Sequence, residues 1–350
     1  MNILYGVPGE GMGHATRSKV VIDHLLKEHN VQVVSSSRAY KFLNETFPGR
    51  VHEIKGFHFA YKDAKVSKAG TFILNLKNAP KNLVHNLNKY VRLREGFVPD
   101  LVISDFESFS FFYAKYHKLP IISIDNMQVI DRCNLDVVIP RSEKKNYQLS
   151  KAIVKAKVPG CKKYFITSFF DADIKKRDTV LVPSIVRDAI LRAKPSNGEH
   201  ILMYQTSSSL QDVRLILEKI PQVKFYVYGF NKEETSGNVI FKTFSEQGFV
   251  NDLASCRAVI ANGGFSFISE AVYLKKPVYS FPISNQFEQF VNASYIEKLG
   301  FGRHFEDLNA DDIKAFLFDL ELFAMNLASY RQNGNEVLFE ALAKELKKLA

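Results

Sequence analysis

Short apolar runs alternate along the chain with segments of helical period. MNILYGV reads as a buried strand, and ATRSKVVIDHLLKE places Val20, Val21, His24 and Leu25 on one helical face. VQVVSSS is the next strand. PDLVISD and LPIISID are two more, each opened by proline and closed by Asp105 or Asp125. Strands alternating with helices predict parallel βαβ units. The stretch from Lys144 to Lys194 is less regular. The alternation then restarts: HILMYQT, VKFYVYGF, NVIFKTF, RAVIANGG and KPVYSFP as strands, SSLQDVRLILEKI, FVNDLASC and FSFISEAVYLK as helices. The pattern predicts two α/β domains, 1–190 and 191–330, with the boundary between Pro183 and Gly198. Beyond Asp311 the pattern is helical.

Length agrees with two domains, because a single core usually splits above roughly 250–300 residues and this chain has 350. Hydrophobic residues make up 46% and charged residues 24%, an ordinary globular balance. No apolar run approaches the ~18 residues needed to span a membrane, and the N-terminus reads as no signal peptide. Three well-separated cysteines, Cys133, Cys161 and Cys256, make neither a disulfide framework nor a metal site, which fits a reducing cytoplasm.

Charge changes the picture in two places. The net charge is +10, and stretches 56–100 and 141–163 hold more than all of it: eight Lys or Arg against three acids, then eight against Glu143 alone. Such stretches suit a solvated face, nucleic acid or anionic lipid headgroups. No recognised nucleic-acid motif accompanies them.

Open α/β sheets bind ligands at the carboxyl ends of their strands, and each half has a glycine turn there. The first, Gly6-Val-Pro-Gly-Glu-Gly-Met-Gly-His14, is neither a dinucleotide fingerprint nor a P-loop. Its glycines free backbone N–H groups at a helix start, and His14 follows them. The positive end of the helix dipole favours the neutral imidazole there. The second turn is Gly263–Gly264.

The segment Ala261–Gly302 resembles the donor-nucleotide motif of GT-B glycosyltransferases, the group containing the plant UDP-glycosyltransferases and the bacterial enzyme that adds N-acetylglucosamine to lipid-linked muramyl peptide. The matching elements are Gly263, Gly264, Glu270, Lys276–Pro277, Pro282, Glu288–Gln289, Asn292–Ala293, Glu297 and Gly300. GMGH and PDLVISD resemble that group's N-terminal strand ends. The resemblance implies two Rossmann-like domains facing each other across a cleft, with a last helix, 331–350, returning to the first.

It further implies an inverting transfer from a UDP-sugar to an acceptor hydroxyl, without a metal or other cofactor. His14 would be the base and Asp105 its carboxylate partner. Gly263, Gly264, Ser266 and Asn262 would meet the diphosphate, with Gly13 close by and Ser207 and Ser208 forming a second phosphate loop. Glu270 would bind ribose hydroxyls and Glu288 and Gln289 the donor sugar, while Phe249 and Val250 would sit beside the base. Two positions depart from the pattern: Asn262 stands where many members have histidine, and Phe267 where a Thr or Ser is usual.

Two other classes fit parts of the sequence: a sugar-nucleotide 2-epimerase of the same architecture, and a non-enzymatic basic binding protein. The mixture of lysines with Phe57, Phe59, Tyr61, Phe72, Ile73 and Leu76 suits either a core helix with a solvated face or the anionic inner face of a membrane. The second choice would make the acceptor lipid-linked, as in cell-envelope polysaccharide or glycolipid synthesis.

Overall fold

The computed structural model describes residues 1–9, 11–55, 96–205 and 213–349, together with the backbone of 61–62 and 65–66. Ser207 and Ser208, and nearly all of the aromatic and lysine-rich stretch 56–95, lie outside the described residues.

Among the described residues, two seven-stranded sheets carry the architecture. In the first, the strands are parallel and run in the order Thr179–Pro183, Lys163–Ser168, Ile121–Asp125, Leu101–Ser104, Asn2–Gly6, Asn30–Ser35, Val51–Glu53. In the second, the order is Glu234–Ser236, Val239–Phe241, Lys224–Tyr228, His200–Tyr204, Ala258–Ala261, Val278–Ser280, Gly302–His304, with only the Glu234–Ser236 edge antiparallel. The inner strands are continuous apolar runs because helices cover both faces; Leu101–Ser104 and Ile121–Asp125 are buried at every position.

The strand orders place the ligand crevice. In the first sheet Asn2–Gly6 lies between Asn30–Ser35 and Leu101–Ser104, so the chain reverses its direction of travel there. In the second sheet His200–Tyr204 lies between Lys224–Tyr228 and Ala258–Ala261 in the same way. Crevices open at the carboxyl ends of such strand pairs. They fall at Gly6 and Ser104 in one half, and at Tyr204 and Ala261 in the other.

The two halves meet through an apolar cluster in which Ile130, Ile166, Phe169 and Phe170 pack with Phe265, Phe287, Val291 and Tyr295. Phe170 stacks on Tyr295 with ring centroids 3.6 Å apart. The last helix, Glu336–Leu349, buries Leu338, Leu342 and Leu346 in the core of the first sheet. Phe339 stacks on His24 of the Met12–Leu25 helix, and Asn335 exchanges two hydrogen bonds with the backbone of Val186. The Asn2–Gly6 strand and the Glu336–Leu349 helix therefore share one core. Leu342→Ala removes a fully buried side chain and is expected to cost ~2–5 kcal/mol. Denaturant titration checks this, and a loss well under 1 kcal/mol would mean that the helix is only loosely attached.

The carboxyl ends of the first sheet's strands carry buried polar side chains: Ser104 and Asp105, Ser123 and Asp125, Thr167 and Ser168. Burial pushes the Asp125 carboxyl up to about 6; the charge of Asp105 adds to the rise, against hydrogen bonds from the Ser123 hydroxyl and the Gln128 N–H. An unfolded aspartate titrates near ~3.9. Between these two values the folded state binds the extra proton, so this group's contribution to stability falls as pH rises from about 4 to about 6. Asp125→Asn is expected to remove that fall. Unfolding free energies across this pH range should converge for the two proteins at the acid end and favour the variant at the neutral end.

Candidate active site

The Met12–Leu25 helix starts directly behind the first glycine turn and carries no acidic residue in its first turn. His14 lies in that turn, with its side chain 20% exposed. Its Nδ1 is 3.0 Å from Oδ1 of Asp105. Asp105 follows the Leu101–Ser104 strand and precedes Phe106, whose φ of 60° lies in the left-handed region that a bulky residue rarely adopts. The strained turn does not use Asp105 as a helix cap. Glu107 caps the Ser108–His117 helix, accepting from the backbone N–H groups of Phe109 and Ser110. The Asp105 carboxylate is left to face the first helix.

There it meets more than histidine. Arg17, one turn beyond His14, donates from Nε to Oδ2 at 2.8 Å and from Nη2 to Oδ1 at 2.5 Å. Ser18 donates its hydroxyl to Oδ2 at 2.9 Å. Burial by itself would raise the Asp105 pKa; the Arg17 charge, followed by His14 and their hydrogen bonds, outweighs it and holds the carboxyl well below the usual range. Arg17 also donates from Nη1 to Oδ1 of Asn126 at 2.5 Å, and the Asn126 amide donates to Oε1 of Glu288 in the other half at 2.6 Å. Sequence reasoning missed Arg17 and Asn126. The available signal was a charged residue three positions after His14 on a helix packed against a sheet.

In the second half, the Phe265–Tyr273 helix follows Asn262, Gly263 and Gly264, and again has no acid in its first turn. Gly263 has φ 101°, and a Cβ there would lie 3.0 Å from Gln289, so the turn requires glycine. The starts of the two helices face each other. The Ser266 hydroxyl donates to the Gly13 carbonyl at 3.2 Å, and a Cβ on Gly13 would stand 2.8 Å from that hydroxyl oxygen. Glycine at 13 is what lets the halves approach.

The remaining sequence-proposed residues divide. Glu288 faces the first half through Asn126. Glu270 is buried, and both its oxygens receive the Arg187 guanidinium, Nε to Oε1 at 2.6 Å and Nη2 to Oε2 at 2.8 Å; Arg187 also reaches Glu246 at 3.0 Å. Gln289 spends its amide on its own loop, accepting from Ile283 N–H and donating to the Gln286 side chain. The Asn262 amide donates to the Phe281 carbonyl at 3.4 Å, while its buried Oδ1 has no partner among the described residues. Phe249 and Val250 are core residues, and Phe249 packs against Tyr204, Tyr228, Phe244 and Phe267. Their side chains are taken up by that packing. Phe267 joins the same aromatic cluster.

Comparison with known proteins identifies the family and the fold. The model of glycosyl transferase family 1 matches residues 1–321. An uncharacterized glycosyltransferase of Methanosarcina mazei is 24% identical over 349 residues, covering 87% of this chain and 85% of its own. Phytolacca americana UGT2 complexed with UDP-2fluoro-glucose and pterostilbene superposes with a TM-score of 0.67 at 12% identity, over 98% of each chain. The spinosyn rhamnosyltransferase SpnG complexed with thymidine diphosphate does so at 0.65 and 14%, over 99% of this chain and 100% of its own. The described residues contain no helix long and apolar enough to cross a membrane. The chain belongs to glycosyl transferase family 1 and is a glycosyltransferase of GT-B fold, with two Rossmann-like halves facing each other across a cleft.

Proposed function

We propose that the protein moves a sugar from a uridine diphosphate donor to an acceptor hydroxyl, with inversion and without a metal ion. The observation that carries this reading is the meeting of two acid-free helix starts at Gly13 and Ser266, beside His14 and Asp105. Helix N-termini present unpaired N–H groups and a partial positive charge. Two of them converging from opposite halves favour a diphosphate between them and stabilise it as it leaves. They supply by dipole part of what a metal supplies by charge.

The acceptor hydroxyl must lose a proton as it attacks the anomeric carbon. In this reading His14 takes that proton on Nε2 and Asp105 stabilises the imidazolium through Nδ1. Attack by the acceptor on the face opposite the diphosphate inverts the anomeric centre. Glu270 binds the ribose hydroxyls with the acceptor capacity that the Arg187 fork leaves, since a carboxylate has about four lone-pair sites. Glu288 meets the donor sugar. The choice of uridine follows the resemblance and the UDP-2fluoro-glucose complex of the plant neighbour; the thymidine diphosphate complex of SpnG is the competing precedent.

Nucleotide choice is checked by calorimetry with UDP, thymidine diphosphate and guanosine diphosphate. UDP should bind most tightly, and Glu270→Gln should weaken it by ~1.5–3 kcal/mol, the scale of a hydrogen bond to a charged group. Equal affinity for all three would remove the base assignment, and an unaffected variant would remove Glu270 from the ribose site.

The base is checked by following UDP release from a panel of UDP-sugars with candidate acceptors. His14→Ala should keep UDP affinity and lose ~10²–10⁴ in turnover, the usual range for a general base. Asp105→Asn should lower turnover by no more than that. The double variant should be little worse than His14→Ala, because residues acting as one unit are not additive. Multiplying effects would separate the two residues, and recovery of an isomerised donor sugar with no transfer product would favour the epimerase.

A further inference from the structure

The environment of His14 Nδ1 contains a conflict. Oδ1 of Asp105, an acceptor, lies 3.0 Å away. Nη2 of Arg17, always a donor, lies 2.7 Å away. If Nδ1 carries the proton, it donates to Asp105 and faces an N–H of Arg17 head-on. If Nδ1 is bare, it accepts from Arg17, and the proton sits on Nε2. A neutral imidazole cannot satisfy both neighbours. The shorter contact is the one to Arg17. The Nη2 group has two hydrogens, enough to serve Asp105 Oδ1 and His14 Nδ1 together. Asp105 is in turn supplied by Arg17 Nε and Ser18, so it does not need the histidine proton.

We propose that Arg17 is a positioning residue that sets the tautomer of His14: in the ligand-free protein it donates to Nδ1, leaves the proton on Nε2, and so holds the base in its unreactive form. This rests on the reading of His14 as the base. The position of Arg17 depends on a second anchor. Its Nη1 is held by Asn126 Oδ1, and Asn126 is held across the interface by Glu288, 162 residues away in sequence. Asn126 and Glu288 also line one small cavity between the halves, with Phe265 and Asn292. The carboxylate assigned to the donor sugar is thus wired to the base through two side chains. Loosening the Glu288–Asn126 bond frees the guanidinium to settle on Asp105 alone, and Nδ1–H can then donate to Asp105 with Nε2 open to the acceptor.

The tautomer is read directly from the full-length protein labelled with ¹⁵N-histidine. Long-range ¹H–¹⁵N correlation distinguishes a bare from a protonated ring nitrogen, and the His14 signals are those lost in His14→Gln. In the wild-type protein without ligand, at a pH where the ring is neutral, Nε2 should be protonated and Nδ1 bare. Arg17→Lys keeps a cation for Asp105 but not the fork, and should move the Nδ1 signal into the protonated region. Asn126→Ala leaves the buried ion pair intact and should move the population the same way, so it carries the comparison if the lysine variant does not fold. A wild-type spectrum with Nδ1 protonated overturns the proposal, as does a folded variant pair with the wild-type tautomer. Transfer activity is a separate readout: a protein with Nε2–H that binds no UDP refutes the donor reading and leaves the role of Arg17 standing.

Discussion

The buried ion pair between Arg17 and Asp105 fixes the ligand-facing edge of the first half. Both side chains are almost fully removed from water, at 4% and 1% exposure. Taking two such charges out of water costs several kcal/mol per ion, so the pair persists only because every strong donor and acceptor is matched. The matching is specific: a two-pronged guanidinium on both carboxylate oxygens and the Ser18 hydroxyl on Oδ2, with His14 Nδ1 beside the Arg17 Nη2 group. Removing one partner would leave an uncompensated buried charge, a loss of about 3–5 kcal/mol. The pair therefore locks the start of the Met12–Leu25 helix to the end of the Leu101–Ser104 strand, and His14 is held as a consequence.

From that lock the rest of the site follows. The helix start it fixes is one of the two that meet at the cleft. The other belongs to the Phe265–Tyr273 helix, held in place by the Gly263 turn and the Asn292 amide on its carbonyl. Close approach is possible because position 13 has no side chain to collide with Ser266. In the proposed reaction the first half supplies the base, and the second supplies carboxylates and a helix dipole. The two halves share an apolar interface that holds these elements together.

The fold was largely legible in the sequence because buried parallel strands leave continuous apolar runs and their helices leave periodic ones. ILYG, LVIS and IISID each mark a strand in this way. Residues at strand ends were legible too: the family resemblance pairs His14 with Asp105, each behind a strand and 91 positions apart, and the structure sets them 3.0 Å apart. What the sequence hid were pairings between polar residues distant along the chain. Nothing local marks Arg17 for Asp105, Asn126 for Glu288 or Arg187 for Glu270, because each partner is chosen by three-dimensional proximity and by the need to match a buried charge. The motif at Glu288–Gln289 illustrates the limit. Two neighbouring residues share a pattern, yet on a helix they point about 100° apart, and here one faces the opposite half while the other braces its own loop.

The central claim is that a nucleotide diphosphate sits between the two helix starts, within reach of His14. A crystal structure of the protein soaked with UDP tests it most directly. The account predicts diphosphate oxygens on the backbone N–H groups following Gly263, the ribose beside Glu270, and the β-phosphate turned toward Gly13 and His14. A UDP molecule bound elsewhere, with the Gly13–Ser266 contact undisturbed and the N–H groups after Gly263 unused, would contradict it.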